Sequence, residues 1–324
     1  MKAIVYDRYG SPDVLKCADI EKPTPGEGEV LIKVCAASVN PYDWHFMRGL
    51  PYFIRLMAGL SRPKARRLGV DGAGYVEAVG RNVTQFKAGD AVFGACRGAF
   101  AEYACAPERA LARKPDGVTF EQAATVPIAG LTALQGLRDK GNIQAGAKVL
   151  INGAAGGVGT FAVPIAKSFG AEVTGVCSTR NVEMVRSIGA DEVIDYTRQD
   201  FTMLGRRYDL IFDCMGNHSL PGYRRVMNPE GIFIGVGGAT GRWMFGLIVR
   251  SISVLFLSPF LNQKFVTFMA KMNSDDLAAI AELMAAGKLT PVIDRRYGLN
   301  DVPEAIRYLE AGHARGKVVI TVQE

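Results

Sequence analysis

Histidine is scarce in this sequence: there are three, His45, His218 and His313, far apart in the chain. No charged catalytic triad can be assembled from the pattern around them. The six cysteines, Cys17, Cys35, Cys96, Cys105, Cys177 and Cys214, include no Cys-x-x-Cys pair and no cluster of four. That excludes a closely spaced structural zinc site and points to small apolar cysteines in a reducing compartment. No Gly-Lys-Ser/Thr follows the glycine-rich turn described below, so the turn is not a P-loop. Charge of one sign is also modest. The formal net charge is +6, from 38 basic and 32 acidic residues, and it is dispersed. A nucleic-acid partner is therefore not expected. Arg62, Lys64, Arg66 and Arg67 form the one basic cluster and read as a solvated loop. The most apolar stretch, Trp243 to Leu261, is interrupted by Arg250 and Pro259. It is a poor membrane span and suits buried sheet or a subunit contact better. The opening MKAIVYD enters a strand-like pattern directly, with no signal peptide in view, so a cytoplasmic location is expected. Internal repeats and low-complexity tracts are absent.

What is present centres on Ala147 to Gly170, AKVLINGAAGGVGTFAVPIAKSFG. Lys148 to Ile151 is a short apolar strand. Gly153, Gly156, Gly157 and Gly159 follow. Val158, Phe161, Ala162, Ile165 and Ala166 then recur at helical spacing. Glycines at a strand-to-helix turn permit tight backbone angles and close approach of a ligand. The helix N-terminus beyond them favours a pyrophosphate. The spacing predicts a bound dinucleotide rather than a merely structural turn. Pro164, inside the predicted helix, should kink or loosen it.

Before this stretch the chain is β-rich. Residues 1–6, 29–37, 74–79, 91–93 and 100–105 read as short strands separated by turn signals, which suggests a small barrel or sandwich. Residues 121–124 and 131–140 read as helices with 127–130 between them. From Ala147 strands (148–151, 172–177, 192–196, 210–213, 232–236 and 251–257) alternate with helices, which predicts a parallel sheet covered on both faces. Helices are expected over 265–272 and over 275–286, the latter capped by Ser274. Another should start at Asp301-Val302-Pro303-Glu304. A strand, 318–322, closes the chain.

Several stretches taken together carry a resemblance. They are SVNPYDWHFMRG (38–49), GVDGAGYVEAVG (69–80), FKAGDAVFG (86–94) and ATVPIAGLTALQGL (124–137). They continue with INGAAGGVGTFAVPIAK (151–167), GADEVIDY (189–196), GKLTPVIDRRYGL (287–299) and GHARGKVVI (312–320). In these the chain resembles the medium-chain dehydrogenase/reductase superfamily, in its zinc-independent quinone-oxidoreductase branch. The resemblance implies an α/β fold: a Rossmann doubly wound parallel sheet inserted in a β-rich GroES-like domain. Residues 1–124 and 265–324 would form the GroES-like substrate domain and 125–264 the nucleotide-binding domain, with the active site in the cleft. It implies NAD(P)H-dependent reduction of quinones or of the C=C bond in α,β-unsaturated carbonyls, with a small hydrophobic carbonyl or quinone as substrate.

Hydride transfer asks little of the protein beyond placing the reactants and excluding water. The glycine turn, with Gly153, Ala155, Gly156, Gly157, Val158 and Gly159, is expected to hold the dinucleotide. The resemblance places Asn40 and Asp43 at the cleft floor. Asn40 is read as near the cofactor. Asp43 is read equally as a turn former that ties the backbone. Thr132 is implied to lie close to the nicotinamide, and Thr125 at the domain junction; each can instead bond its own helix. Val236, Gly237 and Gly238 should pass beside the nicotinamide. Lys317, in Arg315-Gly316-Lys317, is implied to return toward the cofactor, the alternative being a solvated strand end. Tyr42 and Tyr52 are candidate proton donors or pocket walls, and solvent is the other proton source.

The cofactor is expected to be NADPH. The second strand ends Gly175-Val176-Cys177, followed by Ser178-Thr179-Arg180, with no carboxylate at its tip to bind a ribose hydroxyl. Ser178 and Arg180 can bond a 2′-phosphate, and Tyr196 resembles the tyrosine lining the adenosine end. Zinc is not expected. Zinc-dependent relatives place a cysteine at the start of the cleft motif and a Gly-His-Glu further on. Here those stretches read Ser38-Val39-Asn40-Pro41 and Gly69-Val70-Asp71-Gly72. A homodimer is expected through the apolar 243–261 stretch. Two other readings stand beside the reductase: a zinc alcohol dehydrogenase, disfavoured by the absent ligands, and a non-catalytic, NADPH-binding crystallin-like or membrane-associated protein.

Overall fold

A near-continuous apolar run from Val30 to Val39 makes the longest strand among the described residues, buried for most of its length. Neighbouring strands pair with it on both sides. The computed structural model describes residues 1–236 and 262–323, which divide into two compact units. The first comprises 1–128, 271–287 and 291–324; the second comprises 129–270 and 288–290.

The first unit begins with an antiparallel hairpin of β1 (Lys2–Val5) and β2 (Lys16–Asp19). Strand β3 (Glu29–Val39) leads into helix α1 (Pro41–Arg48) and the short α2 (Ile54–Ala58). Strands β4 (Asp71–Val79), β5 (Ala91–Ala95), β6 (Tyr103–Pro107) and β7 (Leu111–Arg113) follow. Helix α3 (Phe120–Ala124) has a capping box in which the Thr119 side chain accepts from the Gln122 N–H. Helix α4 (Pro127–Gln135) starts at Pro127, so 127–130, expected as a connector, is helical: proline suits a first turn.

In the second unit β8 (Lys148–Asn152), helix α5 (Gly159–Ser168), β9 (Glu172–Cys177), helix α6 (Val182–Ser187) and β10 (Glu192–Asp195) alternate. Strand β11 (Tyr208–Asp213), helix α7 (Leu220–Arg225), β12 (Met227–Gly235) and β13 (Lys264–Thr267) complete it. Every neighbouring pair is parallel, and the order is β10-β9-β8-β11-β12-β13. This is the doubly wound arrangement with its switch point beside β8, where a dinucleotide crosses the strand ends. One expectation fails here. Residues 265–272 do not form a helix, because 264–267 pair with β12 as the edge strand. Helix α5 runs through Pro164 without interruption. The expected strand 251–257 and the 243–261 segment lie outside the described residues.

The chain then rejoins the first unit. Helix α8 (Ser274–Ala285) is capped by Asn273, whose Oδ1 accepts the Asp276 N–H at 2.8 Å, not by Ser274. Strand β14 (Ile293–Gly298), helix α9 (Val302–Glu310) and β15 (Lys317–Thr321) follow. Asp301 precedes α9 without a side-chain cap bond, and Glu304 pairs with Arg307 instead. Strand β15 lies antiparallel to β3, and the sheet reads β14-β15-β3-β4-β5-β7 with β6 also on β3. Of the cysteines, Cys96, Cys105 and Cys177 are buried, but Cys17 is exposed on the β2 hairpin.

Two glycines set the strand-to-helix turn. Gly153 has φ +86°, a region where a side chain is strained. A Cβ on Gly159 would fall 2.1 Å from the Gly153 carbonyl oxygen and 2.7 Å from the Ala154 Cα. Gly159→Ala should therefore destabilise the protein by about 1–3 kcal/mol through overpacking. Chemical denaturation reads this, and an unchanged midpoint would show that the turn is not closed as described.

Candidate functional site

Two polar centres stand out, one in each unit. In the first unit Pro41 starts α1 and Asn40 caps it. The Asp43 carboxylate reaches back to accept the Asn40 N–H at 2.8 Å. Its other oxygen accepts the Gly69 N–H at 3.1 Å. Helix α1 is anchored at its far end by a two-point contact from Arg48 to Glu310 of α9. The Asn40 side chain donates to the Asp71 carboxylate at 2.8 Å and to the Ser38 carbonyl at 3.3 Å. Asp71 also accepts the Ser38 hydroxyl at 2.9 Å and the Ile128 N–H at 3.0 Å. Ser38 and Asp71 face each other across β3 and β4.

Lys317, at the start of β15, completes the cluster. Its ammonium donates to Asn40 Oδ1 at 2.5 Å and lies 3.4 Å from Asp71 Oδ2 and 3.5 Å from the Val39 carbonyl. Lys317 is 3% exposed, so it is not a solvated strand end. Burial pushes the Lys317 ammonium down, and the Asp71 charge opposes that. Burial pushes the Asp71 carboxyl up against the pull of Lys317 and the surrounding donors. Asp43 is pushed up to about 7 by burial, with the Asn40 and Gly69 N–H groups opposing.

The other first-unit candidates are placed differently. Tyr42 is 44% exposed and stacks on Phe46. Tyr52 is 72% exposed. The Thr125 side chain is buried, and its hydroxyl donates to the Gln122 carbonyl at 2.6 Å, within its own turn.

In the second unit the turn from Gly153 to Gly159 joins β8 to α5, and Val158 is the helix N-cap. Ala155 is nearly buried under it. The nearest atom to a Cβ built on Gly156 is the Gly153 carbonyl at 3.4 Å, so space lies open above that position. Such a cradle fits a pyrophosphate approaching the backbone. Beneath it is a network that the sequence reading missed. Asn152 donates to Asp213 at 2.9 Å and Asn217 at 2.8 Å, and the Tyr223 hydroxyl donates to Asp213 at 2.8 Å. Asp213 also accepts the Met215 and Gly216 N–H groups, which seats that loop against Gly153. A carboxylate ending a strand just before a glycine was the available signal.

At the tip of β9, Ser178 is half-buried and its oxygen accepts from Asn181, while Arg180 is exposed. Tyr196 is largely exposed and hydrogen-bonds through its N–H to the Cys177 carbonyl. The sequence reading also missed Asp195. It ends β10 in register with Cys177 and accepts the Thr179 hydroxyl at 2.6 Å and the Thr197 hydroxyl at 2.8 Å. The Thr179 bond is the largest influence holding its carboxyl below the usual range. Thr132 is half-buried on α4, and the Val236 N–H donates to the Asp213 carbonyl. Gly237 and Gly238 lie outside the described residues.

Known proteins match this arrangement along its whole length. The family "Alcohol dehydrogenase GroES-like domain" matches residues 26–116, and "Zinc-binding dehydrogenase" matches 188–320. A chloroplastic quinone-oxidoreductase of Triphysaria versicolor is 33% identical over 99% of this chain and 98% of its own. The chain belongs to the medium-chain dehydrogenase/reductase superfamily. Within that superfamily it falls in the quinone-oxidoreductase branch. The NADPH-dependent alkenal/one oxidoreductase of Arabidopsis thaliana, also chloroplastic, is 34% identical over 99% of this chain and 79% of its own. The solved structure of the quinone oxidoreductase from Coxiella burnetii superposes with a TM-score of 0.87, at 32% identity, covering 100% of this chain and 99% of that one. Membership makes the protein an oxidoreductase that works with a nicotinamide cofactor. Among the described residues no helix is long and apolar enough to cross a membrane, and no three His, Cys, Asp or Glu side chains gather as metal ligands.

The first-unit cluster sets a pH dependence. The unfolded Asp43 carboxyl loses its proton near its ordinary value of 3.8, whereas the folded one holds it to about 7. Between these values the native state binds more protons, so rising pH costs stability. Each tenfold difference in proton affinity between the two states is worth about 1.4 kcal/mol. Asp43→Asn should therefore flatten the fall in stability between about pH 4 and 7 by about 1 kcal/mol or more, read from denaturation midpoints. Superimposable pH profiles for the two proteins would contradict this assignment.

Proposed function

We propose that the protein is a zinc-free, NADPH-dependent reductase that delivers a hydride to a quinone or to the C=C bond of an α,β-unsaturated carbonyl. One observation carries the zinc-free part of the reading. The stretches corresponding to the zinc-ligand motifs of zinc-dependent relatives read Ser38-Val39-Asn40-Pro41 and Gly69-Val70-Asp71-Gly72, and the cation bound to Asp71 is the Lys317 ammonium. A thiolate and an imidazole are the ligands zinc would need there, and this chain supplies neither. Names of relatives support the acceptor class, since they include quinone oxidoreductases and an NADPH-dependent alkenal/one oxidoreductase.

A bound nicotinamide supplies the hydride, and the chain supplies placement. Gly153, Ala155, Gly156, Gly157, Val158 and Gly159 would cradle the pyrophosphate. Ser178, Arg180 and Tyr196 would meet the adenosine end, with Ser178 donating its hydroxyl proton and Arg180 its planar fork to a 2′-phosphate. The Asp195 carboxylate is engaged by Thr179 and Thr197, with Arg198 at 3.5 Å, which limits its repulsion of that phosphate. Thr132, Val236, Gly237 and Gly238 are assigned to the nicotinamide end, with Thr125 as structural support. Asn40 and Lys317 are assigned to the cleft floor, where a fixed positive charge favours electron density arriving on a carbonyl oxygen. Tyr42 is our preferred acid, being the more sheltered of the two tyrosines; Tyr52 is assigned to the wall. A homodimer through 243–261 is part of this reading, and light scattering that returns only the single-chain mass at micromolar concentration would remove it.

The cofactor assignment is tested by Arg180→Ala. A charge-assisted hydrogen bond contributes about 1.5–3 kcal/mol, so the KM for NADPH should rise about tenfold to a hundredfold. The KM for NADH should hardly move. Equal losses with both cofactors, or a wild type that already prefers NADH, would overturn it.

A further inference from the structure

The basic cluster at 62–67 does not behave as one solvated loop. Arg62, Lys64 and Arg66 are exposed, but Arg67 is half-buried. Its backbone bridges Val5, and its side chain lies over Gly98, whose φ of +78° keeps the main chain beneath the guanidinium stem. One guanidinium nitrogen, Nη1, is fully buried and has no hydrogen-bond partner. Leaving such a group unpaired costs more than a hydrogen bond contributes to stability.

Arg67 lines a cleft of about 630 Å³ within the first unit, a size that suits a small organic ligand. Its lining includes the aromatic and apolar side chains of Tyr42, Phe46, Leu68 and Val70. Three arginines line the cleft: Arg66, Arg67 and Arg97. Among the described residues two carboxylates line it, and neither is available to Arg67. Glu29 pairs with Arg97. Asp43 is held by two backbone N–H groups and is pushed toward its neutral form by burial. Three arginines, apolar lining residues and no carboxylate left for Arg67 thus share one cavity.

We propose that this cleft binds a small amphipathic carboxylate, its aryl or alkyl body against Tyr42 and Phe46 and its carboxylate on Arg67. A guanidinium edge matches one carboxylate in a two-point contact. A single sheltered guanidinium favours a singly charged head group, and the aromatic lining favours a flat or extended body. The site shares Tyr42 with the reductase reading, but its binding test uses neither cofactor nor turnover, so failure of one leaves the other standing.

Isothermal titration of the full-length protein without cofactor tests it, using cinnamate and its neutral counterpart cinnamyl alcohol. Cinnamate should bind at least tenfold more tightly, as expected for one charge-assisted contact. Arg67→Met should abolish that difference, whereas Arg62→Met should preserve it. Val70→Phe, which fills the cleft and leaves the cation in place, should weaken both ligands. Equal binding of the two ligands by the wild type overturns the proposal without recourse to any variant. So does a preference for cinnamate that survives Arg67→Met, or a Val70→Phe protein that binds both as before.

Discussion

A buried ammonium has to be bonded, and much of the first unit is arranged around that of Lys317. Three oxygens receive it, from Val39, Asn40 and Asp71. They belong to the end of β3, the cap of α1 and the start of β4, so the last strand is fixed against segments that precede it by more than 240 residues. Breaking one partner of such a pair leaves an uncompensated charge and costs about 3–5 kcal/mol. The same requirement fixes Asn40, whose amide bridges Lys317 and Asp71. Asn40 in turn begins the helix that carries Tyr42 and Asp43. Stability and site geometry therefore depend on one constellation.

The second unit solves a related problem with different groups. A dinucleotide needs backbone approach, so its turn is stripped of side chains at Gly153 and Gly159. The turn still needs a floor, which Asp213 supplies by holding Asn152, Tyr223 and the Met215–Gly216 backbone together. Each carboxylate oxygen is satisfied, as burial requires. The cradle is thus open on one side and rigid on the other, the combination by which a pre-formed site lowers the ordering entropy lost on binding.

The architecture was legible where periodicity is long and glycine placement is strict. The α/β alternation and the turn between β8 and α5 are examples, since each strand is short, apolar and bounded by turn residues. Legibility failed where apolar runs are short. Lys264–Thr267 reads as the start of a helix because Phe265, Val266, Phe268 and Met269 also fit helical spacing; pairing with β12 decides it, and pairing is a tertiary fact. Asn273 took the cap from Ser274 because either residue could serve, one position apart. In the sites, the family resemblance drew attention to Asn40, Asp43 and Lys317, but not to how they bond. Asp71 was noticed only for what it replaces. Its partners come from three separate stretches, at 38–40, 128 and 317, and no local pattern announces them. Asp195 escaped for a similar reason: it lies beside the tip of β9 through strand pairing rather than sequence.

Hydride reduction without zinc is the reading proposed above. The direct measurement follows NADPH oxidation with a 2-alkenal and with an ortho-quinone, using one preparation whose metal content is determined alongside. Turnover with at least one of these acceptors is expected, with sub-stoichiometric zinc and a rate unchanged by prior dialysis against a chelator. Stoichiometric zinc whose removal abolishes turnover would contradict it, as would tight NADPH binding without oxidation by either acceptor.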